Sequence, residues 1–307
     1  MALPSYAVVS PVRDEAAHFE RTARSMVAQT HRPERWVIVD DGSTDGTRAI
    51  ADRFAAEHDW IRVVATRRGE QRARGAPVVL AFEAGRAALD ERTELVAKMD
   101  GDLLLPPHYY EWIATTFERV PRAGIVGGTI LNWTGRGWSP DRKARNHVNG
   151  ALKSYRSECL EEIGGLRRSM GWDGIDEYAA RARDWLVLPL TELPVLHFVQ
   201  RGGKQPWARA RFEEGVAMHY MGYLWEWALV RTCYRMLVER PRVLGGLALG
   251  LGFASARLLR RPMVDDDAAR AELRAEQRRR LRALARGRSA IAPDALPGGG
   301  PAFWGAE

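Results

Sequence analysis

The chain has 307 residues, a hydrophobic fraction of 46% and a formal net charge of +7. This length predicts one large domain with an appendage rather than a single small core. Two cysteines without CxxC or Cys/His spacing argue against a disulfide framework and a structural zinc site, and they favour a reducing compartment. No secretory signal pattern precedes the first predicted strand, so we expect a cytoplasmic protein.

Apolar runs alternate with helical patterns through the first half of the chain. The predicted strands are YAVVS, RWVIVD, IRVVAT, ELVAKMD and AGIVGGTI, and the predicted helices cover residues 15–28, 44–58, 78–89 and 107–120. This alternation predicts an α/β domain with a parallel sheet of βαβ units. Residues 135–149, rich in Gly, Arg and Trp, are predicted to form a loop over the sheet edge.

The composition changes after residue 205. Residues 208–238 predict one long helix, and residues 243–256 are an uncharged stretch of 14 residues, shorter than the ~20 that span a bilayer. Between Arg257 and Arg288, eleven arginines follow against five acidic residues. We interpret this region as a helical hairpin at a membrane surface, with its arginines toward anionic lipid. A hairpin packed on the main domain, or a dimer contact, is the alternative.

The arginine-rich segment does not have the pattern of a nucleic-acid-binding surface. Its arginines alternate with Ala, Leu and Glu at helical spacing, and no aromatic platform lies among them. We therefore expect no nucleic-acid partner.

Two carboxylates separated by one residue end the fourth predicted strand, in KMDGDLLLPP. Gly101 permits a tight turn, so Asp100 and Asp102 can face the same space as oxygen ligands of a divalent cation. Mg²⁺ and Mn²⁺ take few protein ligands and complete their shell with phosphate oxygens, so the pair predicts a diphosphate substrate. An ordinary turn is the alternative for such a pair.

Acidic residues also follow the first two predicted strands. Ser43 or Thr44 can cap the next helix, which leaves Asp40 and Asp41 to accept hydrogen bonds from a base or a ribose hydroxyl. The segment SPVRDE follows the first strand, so a nucleotide can lie across the ends of strands one, two and four. Neither GxGxxG nor GxxxxGK[ST] occurs, which argues against a dinucleotide or P-loop site.

Residues 8–47 together with KMDGDLLLPPHYYE resemble the family 2 glycosyltransferases, and the resemblance extends over about residues 5–200. It implies an inverting enzyme that uses a nucleotide-diphosphate sugar. It also implies the GT-A fold, a Rossmann-like, mostly parallel sheet flanked by helices. We expect this domain at residues 1–205, a helical, membrane-proximal appendage at 206–290 and a disordered tail at 291–307.

The resemblance also implies roles for individual residues. The implied nucleotide-binding residues are Pro11, Arg13, Glu15, Asp40, Asp41 and Asp100. Asp100 and Asp102 would meet the ribose and the Mg²⁺ or Mn²⁺ ion, and His197 would complete the metal shell or touch the diphosphate, a structural role being its alternative. Many relatives carry an Ala-Arg-Asn-x-Gly segment where this chain has EQRARGAPVV, so Arg72 or Arg74 is expected to contact the phosphate or the base.

An inverting transfer needs a carboxylate that takes the proton of the acceptor hydroxyl. The family's Glu-Asp pair corresponds to the stretch GWDGIDEYAARARDW. Helix length favours Asp173, whereas the acidic doublet favours Asp176 with Glu177. We place Asp176 slightly ahead because the first turn of a helix orients and stabilises an anion. Simple N-capping is the alternative for Asp173.

The leading hypothesis is a metal-dependent inverting glycosyltransferase that acts on a lipid-linked or polysaccharide acceptor at the inner face of the cell membrane. The lack of several spanning segments favours addition of single sugars over processive synthesis. The alternatives are a nucleotidyltransferase on a similar fold and a non-catalytic, membrane-associated scaffold that binds sugar nucleotides.

Overall fold

The computed structural model describes residues 3–66, 76–133, 137–140, 147–198, 206–238 and 241–287. The strands in these ranges are β1 (Tyr6–Val12), β2 (Arg35–Asp40), β3 (Ile61–Ala65), β4 (Leu95–Met99), β5 (Leu103–Leu104), β6 (Ala123–Trp133), β7 (Trp138–Pro140), β8 (Leu152–Arg156) and β9 (Leu186–His197). The helices are α1 (Ala16–Val27), α2 (Thr47–Glu57), α3 (Ala76–Ala87), α4 (Tyr109–Arg119), α5 (Ser157–Glu162), α6 (Trp172–Arg181), α7 (Trp207–Tyr220), α8 (Trp225–Val238), α9 (Leu244–Leu258) and α10 (Asp267–Ala285).

The described strands form one mixed sheet in the order β3-β2-β1-β4-β8-β6-β9-β5, with β7 paired to β6. The first four strands are parallel, as the βαβ pattern predicted. β8 is antiparallel to both β4 and β6, so β6 and its parallel neighbour β9 run in the same direction as β4. The carboxyl ends of β1, β2, β4, β6 and β9 therefore share one edge of the sheet.

Helices cover both faces of the sheet, which explains why β2 is buried almost throughout. On one face, Phe19 of α1 packs with Trp36 of β2 in a cluster that extends to α2 and α4. On the other face, Phe82 of α3 and Tyr155 of β8 join α5 and α6. A Cβ on Gly85 would lie 2.8 Å from Val39 Cγ2, so the glycine lets α3 approach the strands closely.

The C-terminal region differs from the single helix predicted over residues 208–238. The chain turns between α7 and α8 at Gly222, whose φ of 86° is in the left-handed region that favours glycine. The sequence did not reveal this break, because the same aromatic-rich helical pattern continues on both sides of Gly222. The apolar stretch 243–256 is helical, as α9, and no helix within the described ranges is both long and apolar enough to cross a bilayer.

The prediction of a loop over residues 135–149 is wrong for residues 138–140, which form β7. The predicted disordered tail lies outside the described residues. The division of the chain at residue 205 stays a prediction.

Close packing of α7 on α9 depends on glycine, because a Cβ on Gly252 would lie 2.8 Å from the carbonyl carbon of Phe212. We expect Gly252→Ala to lower the free energy of unfolding by about 1–3 kcal/mol, since the helices must separate. The matched control is Gly245→Ala, whose Cβ would meet only Pro241 Cδ at 3.8 Å, and which should be neutral or stabilise by up to about 1 kcal/mol. Urea unfolding followed by circular dichroism compares the two, and equal effects would contradict the packing argument.

Candidate active site

The candidate site lies at the edge of the sheet where the carboxyl ends of five strands meet. β1, β2 and β4 end there because they are parallel, and β6 and β9 end there because β8 reverses direction between β4 and β6. Ligands of open α/β sheets bind beyond this edge. Every predicted site residue that the structure describes lies at this edge or on α6, which begins beside it.

The adjacent carboxylates Asp40 and Asp41 have different surroundings. Asp40 is buried, and its Oδ1 accepts a hydrogen bond from the Ser43 amide at 3.1 Å. Asp41 is partly exposed, accepts a hydrogen bond from the Thr66 hydroxyl at 3.2 Å and lies 4.0 Å from the Arg13 guanidinium. Asp40 thus shapes the turn, whereas Asp41 faces the site.

The turn after β2 is tied to the turn after β1 instead of being capped as predicted. Neither Ser43 nor Thr44 caps α2. The carboxylate of Asp45 accepts the amide hydrogens of Thr47 and Ala16 at 2.9 and 3.0 Å. Because Ala16 begins α1, one acidic side chain fixes both turns on the predicted nucleotide side.

Pro11 is the predicted site residue that lies deepest in the sheet. It is buried inside β1 and pairs in register with Val39 of β2. Its ring therefore shapes the end of the strand. Arg72 and its alternative Arg74, predicted to contact phosphate or base, lie outside the described residues.

Asp102 and His197 meet across the loop that joins β4 to β5, with Asp102 Oδ2 3.0 Å from His197 Nε2. The other ring nitrogen of His197 lies 2.8 Å from Asn132 Oδ1, which fixes the orientation of the ring. Asp100 forms an ion pair with Lys98. No donor in the described part of the chain reaches the buried Oδ1 of Asp102.

Glu15 brings a third carboxylate to the same turn. A Cβ on Gly101 would lie 3.2 Å from Glu15 Cδ, so only glycine lets the acid approach. Within the described ranges, Glu15 Oε2 is buried without a hydrogen-bond donor. Burial and the charges of Asp102 and Asp100 raise the pKa of Glu15 to about 9. The turn therefore concentrates acidic groups that a bound cation would stabilise.

The acidic residues of α6 face different ways. The Asp176 side chain is 1% exposed, and both of its oxygens lie 2.9 Å from Lys153 Nζ. One of them also accepts a hydrogen bond from the Tyr155 hydroxyl at 2.7 Å. Glu177 is 2% exposed and lies 3.0 Å from the same lysine. Both acids of the doublet therefore point into the protein, away from solvent.

Asp173, in contrast, lies at the surface of the site with its side chain 24% exposed and 3.7 Å from His147 Nε2. A Cβ on Gly150 would lie 2.8 Å from Asp173 Cβ, so the first turn of α6 rests on the segment that enters β8. The Gly150 carbonyl accepts a hydrogen bond from Lys98 at 2.8 Å, and Lys98 pairs with Asp100. Three successive contacts thus connect Asp173 to the Asp100 turn.

Lys153 determines the charge state of the buried groups on α6. Burial alone would lower its pKa, but Asp176 and Glu177 outweigh burial and raise it. Burial raises the pKa of Asp176 against the opposing effect of Lys153. Burial is outweighed at Glu177 by Lys153 and His147, which lower its pKa to about 2. Glu177 and Lys153 therefore carry opposite charges in the interior at neutral pH.

Two buried lysines, absent from the sequence-based prediction, connect these groups. Lys98 of β4 and Lys153 of β8 lie opposite each other in register, with Nζ atoms 5.5 and 5.8 Å from the ring centroid of Trp172. The available signal was a lysine inside the apolar patterns VAKM and ALKSY, because a buried lysine needs an acidic partner. The pairing itself depends on long-range register.

Residues 7–165, just over half of the chain, match the sequence family described as Glycosyl transferase family 2. The chain belongs to glycosyl transferase family 2. The matched segment contains the Asp40–Asp41 and Asp100–Asp102 pairs, and it ends before α6 begins at Trp172.

Two curated glycosyltransferases are similar to the chain over part of their length. Glycosyltransferase AglE of Haloferax volcanii is 27% identical over 201 residues, which cover 59% of this chain and 62% of AglE. The glucosyl-dolichyl phosphate glucuronosyltransferase of the same organism is 25% identical over 175 residues, covering 51% of this chain and 53% of that enzyme. The chain therefore spans between half and two thirds of these relatives.

Solved structures share the fold. The mannosyltransferase PcManGT from Pyrobaculum calidifontis, in complex with GDP-Man and Mn²⁺, aligns with a TM-score of 0.56 at 18% identity, over 88% of this chain and 78% of PcManGT. An identity this low establishes the architecture alone. The GT-A fold expected from the sequence is thereby confirmed.

The acidic turn fits a divalent cation that is shared with a substrate. Asp102 has a buried oxygen that no described donor satisfies, and Asn132 orients His197 as outer hydrogen bonds orient metal-binding histidines. Across the described ranges, no group of three Asp, Glu, His or Cys side chains is arranged to hold a metal ion. A cation here would take few ligands from the protein and the rest from phosphate and water, as Mg²⁺ and Mn²⁺ do.

We expect Lys153→Met to lower the free energy of unfolding by about 3–5 kcal/mol, because it leaves Asp176 buried without its cation and removes one of the cations paired with Glu177. The low pKa of Glu177 stabilises the folded protein above the ordinary glutamate pKa, and this contribution is lost as the pH falls toward 2. The variant should therefore lose less stability between about pH 4.5 and pH 2 than the parent protein. Urea unfolding at several pH values measures both effects.

The matched control is Lys98→Met on the neighbouring strand. Lys98 is as buried as Lys153, but its partner Asp100 is 29% exposed and can be hydrated when the lysine is removed. The loss of stability should be smaller than for Lys153→Met. Equal losses in the two variants would show that the Asp176–Glu177 pair has no special dependence on Lys153.

Proposed function

We propose that the chain is a metal-dependent inverting glycosyltransferase. It moves a sugar from a nucleotide-diphosphate sugar to a hydroxyl group of a lipid-linked or polysaccharide acceptor. The observation that supports this most directly is the arrangement of Asp41, the Asp100–Asp102 turn and Asp173 at one edge of the sheet. Membership of glycosyl transferase family 2 supports the reaction class.

The nucleoside is assigned to the partly exposed groups after β1, β2 and β4. The side chains of Arg13, Asp41 and Asp100 are 34%, 14% and 29% exposed, so each can exchange water for a ligand. Asp41 and Asp100 accept hydrogen bonds from the base or the ribose, and Arg13 keeps Asp41 in place. The buried Pro11 and Asp40 contribute by holding the shape of the strand ends.

The metal is assigned to Asp102, with His197 and Asp100 beside it, and Glu15 lines the same turn. A bound Mg²⁺ or Mn²⁺ would neutralise the charge that develops on the leaving diphosphate. Glu15, Asp100 and Asp102 lie close enough to raise the pKa of Glu15, and a divalent cation would relieve this repulsion. PcManGT was solved with Mn²⁺, which supports the choice of ion class.

Asp173 is the proposed base. It takes the proton of the acceptor hydroxyl while that oxygen bonds to the anomeric carbon and the bond from this carbon to the diphosphate breaks, which inverts the configuration. Asp176, the residue that the sequence favoured slightly, has both oxygens occupied by Lys153 in the interior. Its burial argues against contact with an acceptor. We assign to Asp176 and Glu177 the positioning of α6.

A membrane surface is the proposed location of the acceptor, since a relative acts, by its name, on a glucosyl-dolichyl phosphate. The outer surface of α8 and α9 carries leucines that are each at least 43% exposed: Leu229, Leu237, Leu244, Leu247, Leu251 and Leu258. Exposed arginines flank them at Arg242, Arg257, Arg260 and Arg261. In the proposed arrangement, these leucines enter the membrane interface and the arginines contact anionic headgroups. The protein would then attach peripherally at the inner face of the membrane.

The first test is turnover of a panel of UDP, GDP and dTDP sugars with Mg²⁺ or Mn²⁺, with polyprenyl phosphate and alkyl glycosides as acceptors. Asp173→Asn should lower the rate of transfer by about 10²–10⁴-fold, because it removes the proton acceptor. Asp102→Ala should lower the rate by about 10²-fold or more and weaken its dependence on metal concentration. Asp176→Asn should lower the melting temperature and should reduce the rate of transfer less than Asp173→Asn does.

The matched control for these variants is Asp265→Asn, which changes an exposed acid in the segment between α9 and α10. It should transfer sugar at the parental rate. Full activity of Asp173→Asn combined with an inactive but folded Asp176→Asn would reverse the assignment of the base. Tight nucleotide binding without turnover of any donor would favour a non-catalytic scaffold.

The second test is sedimentation with vesicles that contain phosphatidylglycerol. The pair Leu247→Glu and Leu251→Glu should lower the partition coefficient by about tenfold or more, because two apolar side chains leave the interface and two anions replace them. Leu284→Glu is the control, since Leu284 is 43% exposed, as Leu247 is, but lies on α10. Unchanged binding of the double variant would show that α9 does not contact the membrane.

A further inference from the structure

An aromatic surface adjoins the candidate active site and has no part in the assignments above. Trp133 at the end of β6 and Trp138 at the start of β7 are 41% and 38% exposed, and their ring centroids lie 5.3 Å apart. Trp138 also contacts Phe198 edge to face, with centroids 5.5 Å apart. Trp133, Trp138 and Phe198 together form the tryptophan platform.

The tryptophan platform is supported from beneath by α1. The ring of Phe198 stacks on His18 at 5.5 Å with an interplanar angle of 6°, and the guanidinium of Arg21 lies 5.4 Å from the same ring. Such support holds aromatic rings in one orientation, so a ligand that stacks on them loses little free energy to ordering. This arrangement is typical of a prepared contact surface rather than of single exposed apolar residues.

The tryptophan platform begins where the proposed metal site ends. Trp133 and Phe198 each follow, by one residue, the register pair Asn132 and His197. The amide of Phe198 donates a hydrogen bond to the Asp102 carbonyl at 3.3 Å. Along the sheet edge, the proposed nucleoside groups lie at β1, β2 and β4, and the tryptophan platform lies at β6 and β9, on the other side of β8. The occupant is therefore not the nucleobase.

We propose that the tryptophan platform binds a sugar ring of the acceptor. A pyranose has an apolar C–H face that can cover an indole and a rim of hydroxyl groups that needs water or polar partners. The half-exposed indoles of Trp133 and Trp138 offer the apolar face a partner and leave the rim open to water. A prenyl chain would instead favour a dry apolar surface, such as the exposed leucines of α8 and α9. This inference rests on the proposed glycosyltransferase function, because it identifies what stands opposite the donor.

The binding test uses the full chain labelled with 5-fluorotryptophan. Fluorine signals of the two platform tryptophans are assigned with Trp133→Phe and Trp138→Phe. Octyl glucoside, mannoside, galactoside and N-acetylglucosaminide are titrated below micelle formation, with geranyl phosphate as the arm that has a chain and no sugar. We expect at least one glycoside to shift the Trp138 signal and geranyl phosphate to leave it unchanged. A shift with geranyl phosphate alone, or no shift with any glycoside, overturns the proposal.

The kinetic test separates transfer from hydrolysis of the donor by water. In the Trp133→Ala, Trp138→Ala double variant, kcat/KM for the glycoside acceptor should fall about tenfold, and the change should appear in KM for that acceptor. The rate of donor hydrolysis should stay within about twofold of the parental rate. Trp225→Ala, which removes a 55% exposed tryptophan on α8, should change neither rate. Unchanged transfer in the double variant overturns the platform alone. Absence of donor turnover in the parent protein overturns the proposed function, and the fluorine titration still tests the platform.

Discussion

The buried contact between Lys153 and the acids of α6 is the constraint on which the geometry of the site depends. Lys153 lies on β8 and donates to the Asp173 carbonyl at 2.5 Å as well as to the side chains of Asp176 and Glu177. Buried ion clusters add little net stability, because desolvation opposes the attraction between the charges. They do constrain orientation, because α6 cannot rotate or slide without breaking its ion pairs with Lys153 and leaving a buried charge unpaired. The cluster therefore fixes the side of α6 that carries Asp173.

The charges at the sheet edge fall into two groups. In the first group each lysine has an acidic partner: Lys153 is buried with Asp176, and Lys98 pairs with the partly exposed Asp100. In the second group, Glu15 and Asp102 have buried oxygens that no described donor satisfies, and burial together with the charges of Asp102 and Asp100 raises the pKa of Glu15 to about 9. The first group holds the backbone in place. The second group has an excess of acid, which a bound cation would stabilise.

Sequence alone was sufficient for the elements whose pattern is local. RWVIVD forms β2 over the residues predicted. A short apolar run between turn residues is typical of a strand that is buried on both faces of a parallel sheet. The sequence also placed Asp100 and Asp102 at the end of β4, because the pair directly follows an apolar run. The orientation of Asp176 could not be found, because the acidic doublet looks identical whether it meets Lys153 or solvent. Likewise, β7 and the break at Gly222 depend on contacts with distant residues, β6 and Arg270.

The position of α6 also links the sheet edge to the C-terminal helices. The turn that carries Asp173 packs on Met221, which lies between α7 and α8, since a Cβ on Gly171 would be 2.9 Å from the Met221 sulfur. On the next turns, Ile175 and Tyr178 line a small cavity with Val264 and Leu273 of the C-terminal region. One face of α6 is thus held by Lys153, and another packs on α10 and on the segments that precede α8 and α10. Met221 follows α7, and α7 packs on α9, so α6 is connected only indirectly to the helices that carry the exposed leucines. In the proposed function, this chain of contacts sets the distance between Asp173 and an acceptor anchored in lipid.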